Sequence, residues 1–440
     1  MIKTKTFNNG FRMIHEKPKS QLPISSIYIF CEFGSIHEHN GVRGAAHFIE
    51  HMCFKGTQKI PTGKEVAKVY DKIGAYFNAY TEKRYTCYTI NCEDEYFDNS
   101  IYVVSDLMLH SSFMKTEFEK ERNVVVEENV KNEDDPNDTI DMQMNRLLYK
   151  GSAMENAIDT LKYHNAHTLK YEDVVELYRR YYTPNNMILS VVSNRSFEHI
   201  CKAIDKTFFT KKHPAPKITL IYNPHVNIQP SIQYDIKQKK GVTTLYMSIG
   251  FRTCAYNSDD KYKVKVLNHI IGVTSSSRLF SILREENGLT YTPKSKCDFY
   301  DDLGDLTIQI KTDPTKLLKN GKNPGVLPII VNILRDLLQN GITQQELKMA
   351  KGNLKGSMLL NMNNNNTFTY FNGEQLLMKT PEINSYFDIY NKYYDSITRS
   401  DINRTIQKYI TPTNMSICIF GGHVPSLETV EKECEKIFKD

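Results

Sequence analysis

Apolar and polar positions alternate through residues 24–34, with Ile27, Ile29, Cys31 and Phe33 on one side and Tyr28, Phe30 and Glu32 on the other. A period of two predicts a half-buried strand. The period then lengthens. Over 42–55, Ala45, Ile49 and Met52 keep helical spacing and Gly56 supplies a stop, so a single helix is expected there. Further helices are expected over 62–72, 93–110, 116–133, 141–149 and 171–182. Two strands rich in Tyr and Thr are expected over 75–91, and a buried strand over 187–192. Thr116 followed by Glu119 reads as a capping box for the 116–133 helix, and Pro136 marks its end. The stretch 211–232 holds Pro214, Pro216, Pro224 and Pro230 without helical period and reads as a linker.

The pattern then repeats. Tyr181-Tyr182-Thr183-Pro184-Asn185-Asn186-Met187 returns as Tyr409-Ile410-Thr411-Pro412-Thr413-Asn414-Met415, five of seven positions identical at an offset of 228. Thr116 and Glu119 reappear as Thr343 and Glu346 at an offset of 227. The expected fold is therefore α+β, two homologous α/β-sandwich domains spanning 1–210 and 233–440. The Asn363–Asn366 run reads as a loop or helix break.

Only the first copy carries a candidate metal site. On the 42–55 helix, His47 and His51 sit one turn apart and Glu50 lies about 60° round the axis from His47, so all three share an arc of about 100°. Two imidazoles on successive turns suit zinc, which needs a third protein ligand and leaves one position for water. The order H-x-x-E-H is the inverzincin signature. On the 116–133 helix Glu121, Val124, Val125 and Glu128 fall at i, i+3, i+4 and i+7. A carboxylate on a valine stripe is costly unless paired or metal-bound, which makes Glu128 the natural third ligand. Glu121 is a natural partner to orient a ligand histidine. Solvation is the plain reading for Glu117, Glu119, Glu127 and Glu133. The repeat offset places Lys348 and Lys355 opposite Glu121 and Glu128, and no H-x-x-E-H occurs beyond residue 230.

Composition narrows the rest. A formal charge of +5 over 440 residues, with no basic run, gives no reason to expect nucleic acid. Nine cysteines without a C-x-x-C pair point to free thiols, and Cys53 reads as a small apolar filler. The first residues lack the apolar run of a signal peptide, no transit peptide is seen, and no stretch reaches the length of a membrane span. A cytosol-like compartment and no membrane partner are expected on that ground.

The motif His47-Phe48-Ile49-Glu50-His51, followed by Glu128, resembles the M16 family of zinc metallopeptidases, the group of pitrilysin, insulin-degrading enzyme and mitochondrial processing peptidase. The likeness extends through Gly34-Ser35, Phe54-Lys55-Gly56-Thr57, Gly74 and Asn78-Ala79-Tyr80-Thr81. The resemblance implies one zinc per chain on His47, His51 and Glu128, with Glu50 as general base on a zinc-bound water. It also implies an edge strand at Asn78, Ala79, Tyr80 and Thr81 on which a peptide substrate is added by backbone pairing, whereas spacing alone is equally satisfied by an ordinary hairpin. Ser277 to Tyr291 is similar to the family's C-terminal signature, in which Arg284 and Tyr291 reach the substrate; by residue pattern alone, Arg284 could equally sit on a solvated helix face. Longer relatives close two such units into a chamber, so this chain resembles half of a clamshell. A homodimer, or a heterodimer with a related subunit, is expected, with Arg284 and Tyr291 serving the partner's site. The implied activity is endopeptidase cleavage of peptides or small unfolded proteins. The rival class, a noncatalytic structural or partner subunit, typically lacks one or more of the four zinc-site residues, all of which are present here.

Overall fold

In a computed structural model of the chain, residues 2–39, 41–155, 166–213 and 229–439 are described. The first half runs β1 (Ile2–Thr6), β2 (Arg12–Glu16), β3 (Ile24–Cys31), α1 (Ala45–Cys53), α2 (Gly63–Asp71), β4 (Tyr76–Thr81) and β5 (Thr86–Glu93). It continues through α3 (Phe97–His110), α4 (Lys115–Asp134), α5 (Pro136–Leu148), α6 (Tyr171–Tyr181), β6 (Met187–Val192) and α7 (Phe197–Asp205). The second half runs β7 (Gln233–Gln238), β8 (Leu245–Thr253), α8 (Asp260–Asn268), β9 (Lys294–Phe299), β10 (Gly304–Thr312) and α9 (Val326–Asn340). It ends with α10 (Gln344–Leu360), α11 (Asn365–Leu377), α12 (Arg399–Tyr409), β11 (Met415–Gly421) and α13 (Leu427–Cys434). Most of the linker expected over 211–232 lies outside the described residues.

Two sheets carry the repeat. One has the order β1-β2-β6-β3-β5-β4 and the other β7-β11-β8-β10-β9. After β1, each sheet has the same sequence of pairings: one parallel step (β2 with β6, β7 with β11), then antiparallel steps to the end. The duplicated Thr-Pro-x-Asn-Met segment explains part of this. Asn186 donates to the Tyr181 carbonyl at 2.9 Å, and Asn414, 228 positions on, donates to the Tyr409 carbonyl at 2.7 Å. In each copy this side chain ties a helix end to the start of the following strand. Each copy thus builds its own α+β unit on the same plan.

Two compact units result. One comprises Met1–Asn132, Asn156–Asn223 and Leu360–Tyr386, the other Glu133–Glu155, Pro224–Leu359 and Phe387–Asp440. Each unit takes one helix from the opposite half of the sequence, which a single cut at 211–232 does not anticipate. α11 packs on β3 and β6 of the first sheet, while α5 packs on β8 and β11 of the second. The half-buried expectation for β3 is corrected accordingly: Phe30 and Glu32 are buried along with Ile27 and Ile29, because α11 covers the face opposite the main core. That core joins Ile27, Ile29, Tyr88, Ile90, Leu189 and Val191 of the first sheet to Phe48, Ile49 and Met52 of α1 and Leu107 of α3.

Two local expectations shift and three hold. α1 begins at Ala45 because Gly44 holds φ +87°, a left-handed conformation incompatible with a helix interior. α4 begins at Lys115, so Thr116 lies inside it and caps nothing; Glu119 is drawn instead to Arg122 at 3.0 Å. The second copy of the capping box does form, with Thr343 N–H donating to Glu346 at 2.7 Å and Glu346 N–H to Thr343 Oγ1 at 3.1 Å. Pro136 ends α4 as expected and then serves as the first residue of α5, capped by Asp135. The asparagine run breaks α10 from α11, with Asn364 accepting from the N–H groups of Asn366 and Thr367. Among the described residues no helix is long and apolar enough to cross a membrane.

Candidate metal centre

α1 is fixed from both faces before its chemistry begins. Phe48 packs on Phe118 of α4 with ring centroids 4.6 Å apart, and Ile49 and Met52 are fully buried. At the helix start the buried carboxylate of Glu38 accepts from Gly44 N–H at 2.7 Å and Ala46 N–H at 2.8 Å. It neutralises orphan donors and the positive end of the helix dipole. Sequence reasoning misses Glu38, since capping rules look one to three residues upstream and this carboxylate arrives from further back through a loop.

With its apolar side held, α1 turns His47 and His51 toward α4. The two Nε2 atoms stand 3.0 Å apart, with the rings nearly perpendicular at 87°. Glu128 Oε2 lies 3.8 Å from His47 Nε2 and 3.5 Å from His51 Nε2. A tetrahedral ion with ligands about 2.0–2.1 Å away sets those ligands roughly 3.3 Å apart. The three measured spacings bracket that value, so the donor set fits zinc in both chemistry and size. Among the described residues it is also the one group of three His, Cys, Asp or Glu side chains close enough to hold a metal. Cys53, one turn along, is buried against the core, and burial pushes its thiol up to about 12, which suits a filler better than a thiolate ligand.

A second layer orients the first. His51 Nδ1 donates to Glu121 Oε1 at 2.8 Å, which leaves Nε2 with its lone pair toward the ligand cluster, and Lys55 forms an ion pair with Glu121 Oε2. Burial opposes the charged form of Glu121, yet the hydrogen bonds from His51 and Lys55 hold its carboxyl below the usual range. Burial, reinforced by the neighbouring His51, lowers His47 and keeps it neutral. Burial likewise works against charge on His51, but Glu121, Glu50 and Glu128 outweigh it and raise that imidazole. The valine stripe needs correction. The buried line of α4 is Phe118, Glu121, Val125 and Asn129, whereas Val124 is 49 % exposed, roughly 100° round the helix. Glu128 stands at the border of the buried line, partly open to solvent.

The remaining candidates divide between the units. Glu50 is buried and accepts from Thr81 Oγ1 at 2.6 Å. Thr81 ends β4, the terminal strand of its sheet. Asn78 C=O faces β5, accepting from Thr89 Oγ1 at 3.3 Å, so the next amide, Ala79 N–H, faces the open edge. The Asn78 carboxamide covers that N–H at 2.9 Å and donates in turn to Tyr76 OH at 2.8 Å. Tyr80 is half-buried beside Tyr85, ring centroids 6.1 Å apart. In the second unit, Arg284 lies in a wide-turned helical segment, Phe280–Glu286. Its guanidinium carbon sits 4.6 Å from the Phe280 ring and 4.6 Å from the Tyr291 ring, and Tyr291 is 76 % exposed. The seven-residue spacing therefore brings Arg284 and Tyr291 together, cation on ring.

Comparison with known proteins defines the family. Residues 13–160 match the family described as Insulinase (Peptidase family M16), and residues 168–354 match the Peptidase M16 inactive domain. The uncharacterized zinc protease YmxG of Bacillus subtilis is 32 % identical over 382 residues, 86 % of this chain and 88 % of the relative. An uncharacterized zinc protease of Mycobacterium leprae is 28 % identical over 373 residues, covering 82 % of this chain and 79 % of the relative. In fold, a protease from Helicobacter pylori superposes with a TM-score of 0.87 at 21 % identity, covering 96 % of this chain and 99 % of that one. The periplasmic protease PqqL of Escherichia coli gives 0.80 at 16 % identity, covering all of this chain and 50 % of PqqL. A two-unit α+β chain with an H-x-x-E-H helix and a distal glutamate is of the zinc-protease class. The chain belongs to peptidase family M16.

Proposed function

We propose that the protein is a zinc-dependent endopeptidase acting on peptides or small unfolded proteins. The observation that carries this reading is the spacing of 3.0, 3.5 and 3.8 Å among His47 Nε2, His51 Nε2 and Glu128 Oε2. These three residues would hold one zinc ion per chain, which when bound supplies Lewis acidity to a water and to the scissile carbonyl. Glu50 takes the proton of the attacking water and returns one to the leaving amine. The substrate pairs as an extended strand along the open edge of β4, where the outward N–H of Ala79 first sheds the Asn78 carboxamide. Arg284 and Tyr291 donate to the carbonyl oxygen as charge develops on it, and they do so from a partner subunit in a homodimer or in a heterodimer with a related chain.

Glu50→Gln tests the assignment because it preserves shape and removes the base. Expected is unchanged zinc content by elemental analysis with cleavage of an unstructured peptide reduced by about 100-fold or more. Full cleavage by this variant, or cleavage by the wild type that a chelator does not block, contradicts the proposal.

A further inference from the structure

We infer that Thr81 is a positioning residue for Glu50, coupling the strand that would receive the substrate to the group that would move the proton. The inference rests on the peptidase reading above and deepens it.

Proton counting fixes the direction of the hydrogen bonds. Thr86 Oγ1 donates its one proton to the Phe33 carbonyl at 2.9 Å. It therefore has none left for Thr81 Oγ1, 3.3 Å away. The Thr81 hydroxyl is left to give its own proton to Glu50 Oε2, at the short separation of 2.6 Å that a carboxylate acceptor produces. Thr81 faces Thr86 across the β4–β5 pair, and the fully buried Thr86 packs behind the Thr81 side chain without bonding to its hydroxyl. Free rotation of the Glu50 carboxylate is thereby restricted.

The backbone of the same residue points elsewhere. Glu82 N–H bonds inward to the Tyr85 carbonyl at 2.7 Å, and Asn78 C=O also faces inward. By the two-residue period of a strand, the N–H and C=O of Thr81 share the outward direction of Ala79. A peptide paired on this edge bonds to the main chain of Thr81 while its side chain holds the carboxylate. Substrate pairing and base alignment thus meet in one residue, and the alignment acts on turnover more than on binding.

The test compares wild type, Thr81→Val and Thr81→Ser for zinc content and for cleavage of an unstructured fluorogenic peptide. Expected for Thr81→Val is normal zinc content, KM within about twofold, and kcat lower by about tenfold to a hundredfold, the range set by losing one hydrogen bond to a charged group. Thr81→Ser keeps the hydroxyl and is expected to restore most of kcat. An unchanged kcat in a zinc-replete Thr81→Val protein overturns the inference, as does a loss confined to KM or one that serine fails to rescue. Should Thr81→Val not fold, kcat of the serine variant near wild type supports the role and a tenfold loss opposes it. A zinc-loaded wild type that cleaves nothing removes the peptidase reading itself, and this inference with it.

Discussion

Replacing Glu121 by glutamine probes how far the proposed metal centre depends on a residue that would not touch the ion. Glu121 is almost wholly buried, accepts from His51 Nδ1 at 2.8 Å, and pairs through its other oxygen with Lys55. A glutamine has one oxygen for these two donors. If that oxygen serves Lys55, the amide N–H₂ faces His51 and drives its proton to Nε2, the atom meant for the metal. If it serves His51, Lys55 loses its counter-charge. A hydrogen bond to a charged group contributes about 1.5–3 kcal/mol, and loss of a partner behind a metal ligand weakens binding by roughly 10- to 100-fold. The expected loss in zinc affinity is therefore about 1.4–2.7 kcal/mol. Competition against a chromophoric chelator at neutral pH measures it, with circular dichroism to verify the fold. Lys55→Met should shift affinity in the same direction by less, since the bond to His51 survives. A Glu121→Gln protein that is folded and binds zinc within about twofold of wild type would refute the argument.

Other consequences are independent of that layer. Burial lowers His37 to about 4, and its Nδ1 accepts from Gly34 N–H at 3.0 Å, so the folded state holds it neutral. Because the unfolded chain binds this proton more readily, its contribution of up to about 3 kcal/mol is present above pH ~6.5 and is lost as pH falls from there through about 4. Denaturant titrations across that interval should show His37→Asn with a shallower pH dependence than wild type, and equal slopes would contradict the assignment. In α11, Gly373→Ala would normally favour a helix by about 1 kcal/mol, yet its new methyl would lie 2.2 Å from Phe30 Cε2. A net destabilisation of about 1–3 kcal/mol is expected in urea, and a rise in stability would count against the packing of α11 on β3. If Arg284 and Tyr291 act in trans, mixing Glu50→Gln with Arg284→Ala subunits should regenerate up to about a quarter of the wild-type activity, as the statistics of symmetric pairing require; no recovery after confirmed exchange argues for action within one chain.

The features legible in the sequence are those written locally or in duplicate. His47, Glu50 and His51 share one helix turn, so spacing alone places them together, and the recurring Thr-Pro-x-Asn-Met segment foretells the matching strand orders. Glu121 and Glu128 were readable from helical period, although the valines misplace the stripe: Val125 is core and Val124 is exposed, and the buried position that the pattern overlooks is the polar Asn129. What the sequence conceals depends on contacts between distant segments. Glu38 reaches the start of α1 through an intervening loop, Thr81 meets Glu50 only once β4 lies beside α1, and α5 and α11 each join a sheet from the opposite half. No periodicity encodes these choices, because each is settled by which apolar face finds cover.

X-ray absorption at the zinc edge of the metal-loaded protein examines the grouping of His47, His51 and Glu128 most directly. The account predicts one zinc per chain with a first shell of two imidazole nitrogens and carboxylate or water oxygen at about 2.0–2.2 Å. A sulfur shell near 2.3 Å, which would bring in a cysteine, or a shell with fewer than two imidazoles, would contradict it.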